Sequence, residues 1–340
     1  MKYWLAIILF IGFNLAYGLD NDKGLQSDEQ TLVTYEKMLE KEKNRYSLSL
    51  QQKILELTEK IHGKQHPDYA TSLNQVGMLL FLQQGKLEQA EPLLKQSLKI
   101  REQILGKQHK DYALSLNNLG TLYLFQQKRP QAEPLFKQAL AIYQKTVDAQ
   151  HPQYAQTLSN LGVLYLMQKK WEAAEPLLKQ AYDIYSQLEH PDLNYYIQIL
   201  SNLSSLYYLQ KNYEPVLPIL EKLRDLQAHV LGKQNIDYAM TLNNLGKLHY
   251  FQKRYMQSEP FYQQALNIIE QISNRQHKDF THVLNNLAEL HCVQNQYKKA
   301  LPLYQELINT FTKTLGKDSE ETQTAQQQYD DCLEKSHLAN

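Results

Sequence analysis

The chain has 340 residues, and its 36 basic and 36 acidic side chains give no formal net charge at neutral pH. It has no basic stripe that would release counterions from a phosphate backbone, so nucleic acid is not an expected partner.

Residues 1–18 have the pattern of a secretory signal peptide. Lys2 supplies the positive start, residues 5–15 form the apolar core, and an Ala-Tyr-Gly cleavage site ends the segment. The apolar core is shorter than the roughly 20 residues of a membrane-spanning helix, so cleavage is favoured over an uncleaved anchor. The sequence therefore predicts export, to a periplasm or out of the cell, with no membrane span after cleavage. Residues 19–29 are interpreted as a short linker.

A tandem repeat occupies most of the remaining chain. Residues 30–64 carry two weaker apolar runs, which predict a degenerate first helix pair. Beyond them, prolines recur every 42 residues, at Pro92, Pro134, Pro176, Pro218, Pro260 and Pro302. Small residues recur at Gly77, Gly120, Gly162, Ser204, Gly246 and Ala288, where the first spacing is 43 residues and the others are 42. A second small residue, replaced once by valine, recurs every 42 residues at Ala90, Ala132, Ala174, Val216, Ser258 and Ala300. A period near 40 is typical of stacked supersecondary units.

The apolar spacing inside a unit is helical. In unit two, apolar residues fall at i, i+3, i+4 and i+7 in two runs, which predicts helix A over about 110–126 and helix B over about 130–145. We expect Gly162 and Ala174 to let helices A and B approach closely, while large residues fill the space to the next unit. Glycines stand where helix B should end and predict left-handed caps, at Gly63, Gly106, Gly232 and Gly316.

Histidines recur where helix A should begin, at His66, His109, His151, His190 and His277. Repeat-related positions lie about one packed-helix spacing apart, roughly 10 Å, so these side chains cannot converge on one metal ion. We therefore expect them to make contacts at helix starts and predict no metal site.

Residues 318–336 predict a terminal capping helix. Cys332 lies on it, and Cys292 lies on helix A of the unit before. The two positions differ by two in repeat register, so their side chains are expected to diverge as two buried thiols. A disulfide between these neighbouring helices is the alternative.

Three segments carry a family resemblance: HPDYATSLNQVGMLL (66–80), HKDYALSLNNLGTLY (109–123) and GKLEQAEPLLKQSLKIREQILGKQ (85–108). They resemble the tetratricopeptide repeat (TPR) of the kinesin light chain type, over about 66–335. The resemblance implies an all-α, right-handed superhelical solenoid of TPR-like antiparallel helix pairs. Residues 30–340 would form it as one continuous domain of about seven units plus the capping helix. No long heptad coiled coil precedes the repeats, so a motor-cargo role is not carried over.

The resemblance also implies that helix A lines a concave groove. Just before the small residue of helix A, amides recur at Asn117, Asn118, Asn160, Asn202, Asn243, Asn244, Asn285 and Asn286. Each offers donors and an acceptor to a peptide backbone; alternatively, the amides fix neighbouring helices to each other. Four and five residues after the small position, apolar pairs predict a stripe wherever they are exposed, with Phe125, Tyr208, Tyr250 and Phe251 as its aromatic members.

The predicted function is an exported protein–protein interaction scaffold that binds peptides or partner proteins in this groove. Two alternatives remain: a structural envelope component that associates with itself, and a secreted factor acting on proteins of another cell. No nucleophile-elbow, zinc-protease or C-x-x-C motif occurs, and carboxylates such as Glu88 and Glu91 are placed on solvated helix faces. The sequence therefore predicts no enzyme activity and no cofactor, and it does not name the partner.

Overall fold

The structure, a computed structural model, describes residues 26–40, 47–147, 150–273 and 278–338. These residues form helices and no strand. The helices are α1 (Gln26–Glu40), α2 (Leu48–His62), α3 (Pro67–Gln84), α4 (Leu87–Leu105), α5 (Lys110–Phe125), α6 (Arg129–Thr146), α7 (Pro152–Met167), α8 (Trp171–Gln187), α9 (Leu193–Leu209), α10 (Val216–Val230), α11 (Ile236–Phe251), α12 (Tyr255–Ile272), α13 (Lys278–Val293), α14 (Tyr297–Leu315) and α15 (Glu320–Leu338). The all-α prediction is confirmed, and the predicted signal peptide lies outside the described residues.

Consecutive helices pack as pairs, α3 with α4, α5 with α6, α7 with α8, α11 with α12 and α13 with α14. First helices also contact the first helix of the next pair, as α3 does α5, α5 does α7 and α11 does α13. The bounds of α5 and α6 agree with the predicted helices of unit two. The chain divides into two compact units, Met1–Asn202 and Leu203–Asn340, with the division inside α9. One continuous domain stays a prediction.

At the small residues of helix A, a large side chain from helix B of the same pair packs directly against the backbone. A Cβ atom at Gly162 would lie 2.8 Å from Cγ of Leu178, and one at Gly246 would lie 2.7 Å from the ring of Tyr262. The predicted close approach of Gly162 and Ala174 is therefore made mainly through Leu178, since the Ala174 carbonyl oxygen is 3.6 Å from that Cβ position. The large residue does not only fill space toward the next unit, because helical side chains lean over their preceding turn.

Six first helices, α3, α5, α7, α9, α11 and α13, each end in a left-handed turn. The residue in this conformation recurs every 42 positions, with φ values of 56–60° at Gly85, Gln127, Lys169, Lys211, Lys253 and Asn295. The next amide bonds back to the helix; the Lys170 N–H, for example, donates to the Tyr165 carbonyl at 2.9 Å. This is the six-to-one bond of a Schellman cap, which satisfies a terminal carbonyl.

The glycines after helix B also have positive φ, but Gly63, Gly106 and Gly316 do not form the predicted left-handed cap. Gly63 and Gly106 have φ of 80° with ψ of 169° and 165°, a mirror-extended conformation open to glycine alone. The histidine prediction holds at His66, His109 and His151, whose Nδ1 atoms accept the N–H two residues on.

At the start of α9 the histidine contacts its neighbour rather than the backbone, with Nε2 of His190 4.0 Å from Oε1 of Glu189. His190 is exposed, and Asp192 accepts the N–H groups of Asn194 and Tyr195 in its place. His277 lies outside the described residues.

Cys292 and Cys332 form a disulfide between α13 and α15, with their Cα atoms 5.9 Å apart. The expected divergence of the two side chains is therefore wrong. The argument for it assumed that neighbouring helices touch through equivalent positions. In the structure the touching residues are offset from the 42-residue register, and the cysteines stand 40 residues apart.

Candidate functional site

The predicted amide ladder joins consecutive first helices. In the unit 1–202, Asn118 donates to the side-chain oxygen of Asn74 at 3.0 Å, and Asn160 donates to that of Asn117 at 3.0 Å. In the unit 203–340, the Asn286 amide donates to the Asn243 side-chain oxygen at 2.7 Å. Each bond runs from the residue two before the small position to the residue three before it in the preceding repeat.

Burial divides the eight predicted asparagines. Asn117, Asn118, Asn160, Asn202 and Asn243 are buried, whereas Asn244, Asn285 and Asn286 are half-buried. Asn202 continues the series by donating to Ser159 at 3.5 Å. The buried amides therefore fix neighbouring helices to each other, the second of the two readings of the sequence. Their contact with a peptide stays a prediction.

The predicted apolar stripe is exposed at one position of each pair. Four residues after the small position the side chains are buried at Leu124 and Leu166 and half-buried at Tyr208 and Tyr250. Five residues after it, Phe125 is 37% exposed and Phe251 44%. We call this row the apolar rim; its members are Phe125 and Met167 in the unit 1–202, and Leu209, Phe251 and Val293 in the unit 203–340.

Tyr208 and Tyr250 are half-buried and lie just inside the rim. The Tyr208 hydroxyl donates to the Asn244 carbonyl, and the Tyr250 hydroxyl donates to Oε1 of Glu289 at 2.8 Å. Phe251 stacks on Tyr213 with ring centroids 5.1 Å apart. Four of the twelve predicted contact residues are thus aromatic side chains at the ends of first helices.

A set of half-buried polar residues lies on α11 and α13, which are in contact. We call it the polar cluster: Asn244 and Lys247 on α11, and His282, Asn285 and Glu289 on α13. Their spacing of three and seven places each set on one helix face. Within the described residues, Oδ1 of Asn244, Oδ1 of Asn285 and Nε2 of His282 are buried without a hydrogen-bond partner.

The position of Asn285 in the ladder explains why its side-chain oxygen has no hydrogen-bond partner. This residue is the last asparagine of its series, and Gln326 and Gln327 of the capping helix α15 donate to Asp330 and Asp331 instead. Burial lowers the pKa of Lys247, a shift that the carboxylate of Glu289 opposes. Burial also lowers the pKa of His282, with help from the Lys247 ammonium. The cluster thus presents unused acceptors beside a weakly solvated cation and its partner carboxylate.

A separate network crosses from helix B to the next helix A. Glu91 on α4 binds Lys95 at 2.7 Å, and it accepts from Gln126 at 3.0 Å and from Lys128 at 3.2 Å beyond the end of α5. The solvated-face prediction is therefore wrong for Glu91, which is 19% exposed. These hydrogen bonds, above all that of Lys95, lower the pKa of Glu91 to about 2.

Comparison with known families gives consistent matches. A tetratricopeptide repeat model matches residues 46–103, 76–145, 111–187 and 195–271, and a second one matches 281–321. Together they cover well over half of the chain. Comparison with curated proteins found no significant match.

Solved structures share the fold at low identity. The BtubC (BKLC) structure from P. vanneervenii matches with a TM-score of 0.55 and 19% identity, covering 68% of this chain and 92% of that chain. Pseudomonas aeruginosa pilF matches at 0.53 and 20%, covering 77% and 99%. A signal transduction ATPase with a tetratricopeptide repeat sensor from Pyrococcus horikoshii matches at 0.65 and 15%, covering 93% of this chain and 48% of that chain.

In the part of the chain that the structure describes, no helix combines the length and apolarity needed to span a bilayer.

Proposed function

The chain belongs to the tetratricopeptide repeat family, and from that membership we propose that it is an exported scaffold that binds extended peptide segments of partner proteins along its first helices. Stacked repeats of this kind present long surfaces for protein partners. The proposed binding surface combines the polar cluster with the apolar rim of the unit 203–340.

The unpaired acceptors of the polar cluster carry this proposal. A buried carbonyl oxygen without a partner costs about 1–3 kcal/mol, and a donor from a bound chain would recover that free energy once the half-buried side chain turns its oxygen outward. Asn244 and Asn285 offer such oxygens on adjacent helices. A peptide backbone supplies N–H donors whatever its sequence, and the exposed ring of Phe251 provides an apolar contact for its side chains.

Site-specific crosslinking tests the surface. A photoreactive phenylalanine at Phe251 should capture a partner protein, while the same group at Met256 should not. Met256 is the matched control because it is 79% exposed and lies on the second helix of the pair. Equal capture at both positions would contradict the proposal, and capture of further copies of this chain alone would favour the self-associating alternative.

A peptide from the captured partner then tests the chemistry. Replacing both Asn244 and Asn285 by alanine removes two acceptors, each worth about 0.5–1.5 kcal/mol, so affinity should fall about 5- to 100-fold. Isothermal titration with the purified chain measures this change. Unaltered affinity would exclude these amides from the site.

Export rests on the pattern of residues 1–18 alone. N-terminal sequencing of the protein recovered from the envelope or the medium should begin near Leu19. Recovery of intact Met1 in a membrane fraction would contradict cleavage.

A further inference from the structure

Three metal-ligating side chains meet at the corner between α2 and α3. His62 is the last residue of α2, His66 is the N-cap of α3, and Asp68 lies in its first turn. One ligand atom from each lies within 4.8 Å of the other two. Nε2 of His62 is 3.7 Å from Oδ2 of Asp68, and Nδ1 of His66 is 3.3 Å from the same oxygen.

These separations fit a first-row transition metal. Zinc binds histidine nitrogen and carboxylate oxygen at about 2.0–2.2 Å, and the edges of a tetrahedron with such bonds are about 3.3–3.6 Å. The two separations from Asp68 lie close to that range, so rotation of the histidine side chains brings the three ligand atoms around one ion. A metal at Nδ1 of His66 would replace the 3.2 Å hydrogen bond that this atom accepts from the Asp68 N–H.

The next corner of the chain shows which residue is additional. Residues 104–111 read ILGKQHKD where residues 61–68 read IHGKQHPD, so the loop and its His–Asp pair recur. Nδ1 of His109 accepts the Asp111 N–H at 3.1 Å, as its counterpart does. Leu105 stands in place of His62. Helix capping therefore needs only the recurring pair, and His62 is not required for it.

We propose that His62, His66 and Asp68 bind a divalent transition-metal ion of the zinc type, with a fourth position open to solvent. The rings of His62 and His66 stack with centroids 4.5 Å apart, and because an imidazole nitrogen binds a metal in its own ring plane, one ring turns out of this stack when the ion binds. Repeat-related histidines still do not converge; the sequence argument missed this set because His62 belongs to no repeat series. The ion links the degenerate first pair to the first full repeat, a role separate from peptide binding.

The first test is titration of the tag-free, metal-stripped full chain with Zn²⁺ and with Co²⁺. One equivalent should bind, and Co²⁺ should give the intense visible absorption of four-coordinate geometry. The variant His62→Leu, which copies the second corner, should bind at least about tenfold more weakly and lose that absorption, since one of three ligands is gone. It should keep the melting temperature of the metal-free wild type, because an equivalent leucine is tolerated at position 105.

The reverse variant supplies a gain-of-function control. Leu105→His should create a second set with His109 and Asp111 and raise the stoichiometry from one to two. Hydrogen exchange with Zn²⁺ should slow around residues 61–69 in the wild type and in Leu105→His, but not in His62→Leu. Absence of a one-equivalent site, or wild-type affinity in His62→Leu, would overturn the proposal.

Discussion

The side-chain amide of Asn160 on α7 donates a 3.0 Å hydrogen bond to the side-chain oxygen of Asn117 on α5, 43 residues earlier. It also donates to Thr121 at 3.2 Å, and Asn160 itself is buried. One amide therefore links two consecutive first helices directly.

Replacing Asn160 by alanine should lower the free energy of unfolding by about 1–3 kcal/mol, because it leaves the oxygen of Asn117 buried without a donor. Urea unfolding followed by circular dichroism measures the change. Asn244→Ala is the control, since the Asn244 oxygen has no partner to lose, and it should cost less stability. Equal losses in both variants would show that the pairing contributes nothing specific.

A second prediction concerns the small residue of helix A. Gly246→Ala should destabilise the protein by about 1–3 kcal/mol, because the new Cβ would lie 2.7 Å from the rigid, buried ring of Tyr262. That cost exceeds the gain of about 1 kcal/mol from helix propensity. Gly77→Ala is the matched control: its Cβ would lie 3.0 Å from Cδ2 of the flexible Leu94 side chain and 3.4 Å from the Ala90 carbonyl oxygen, an ordinary contact. Thermal unfolding should rank Gly246→Ala below Gly77→Ala, and the reverse order would refute the packing argument.

The left-handed turns supply a change that should increase stability. Lys169 has φ of 59°, a conformation that costs a side-chain-bearing residue about 1–2 kcal/mol. Lys169→Gly removes this cost, and after the larger chain entropy of glycine in the unfolded state about 0.5–1 kcal/mol should remain.

The same substitution at Lys179 is the control, because that residue is exposed inside α8. Lys179→Gly should lower stability by about 1 kcal/mol. The two variants thus differ in the sign of their effect on the melting temperature. Destabilisation by both would mean that the turn is not strained.

Helix periodicity was sufficient to predict the helices, as α5 and α6 show, because apolar spacing reports the buried face directly. It did not determine which of two adjacent apolar residues is exposed. Leu124 and Phe125 both fit the pattern, and only the tilt of one pair against the next buries the first and exposes the second. The left-handed turns carry a glycine signal only at Gly85; the other five units have Gln, Lys or Asn there.

The hydrogen-bond partners in consecutive repeats could not be predicted from the sequence for a related reason. The partner of Asn160 stands 43 residues earlier and that of Asn118 stands 44 earlier, offsets set by how neighbouring helices slide along each other. The prediction that the two cysteines diverge was wrong for the same reason, because it assumed that neighbouring helices touch through equivalent repeat positions. The set of His62, His66 and Asp68 was missed because a search along repeat series ignores residues that occur once.

The disulfide should stabilise the C-terminal end of the chain. It closes a segment of 40 residues between Cys292 and Cys332, and such a crosslink is typically worth about 2–4 kcal/mol. A reducing agent should lower the melting temperature of the wild type and speed hydrogen exchange in α15. The double variant Cys292→Ser and Cys332→Ser should melt at the lower temperature and ignore the reductant. A wild type that is insensitive to reduction would contradict the stabilising role.

The last prediction uses pH to isolate Glu91. Its folded-state pKa of about 2 lies below the ordinary value of 4.5, mainly because Lys95 hydrogen-bonds the carboxylate. The stabilisation is therefore complete above pH 4.5 and is lost as the pH falls toward 2. Glu91→Gln should cost about 2 kcal/mol at pH 7, as for hydrogen bonds to a charged group, and almost nothing near pH 2. Urea unfolding at pH 7, 5 and 3 should show that the difference in the free energy of unfolding between wild type and variant narrows.

The control Glu88→Gln changes an exposed residue of the same helix and should leave a small difference in the free energy of unfolding at every pH. If the difference in the free energy of unfolding for Glu91→Gln stays constant from pH 7 to 3, the effect of the substitution comes from packing rather than charge. The network with Lys128 would then not be an electrostatic link between repeats.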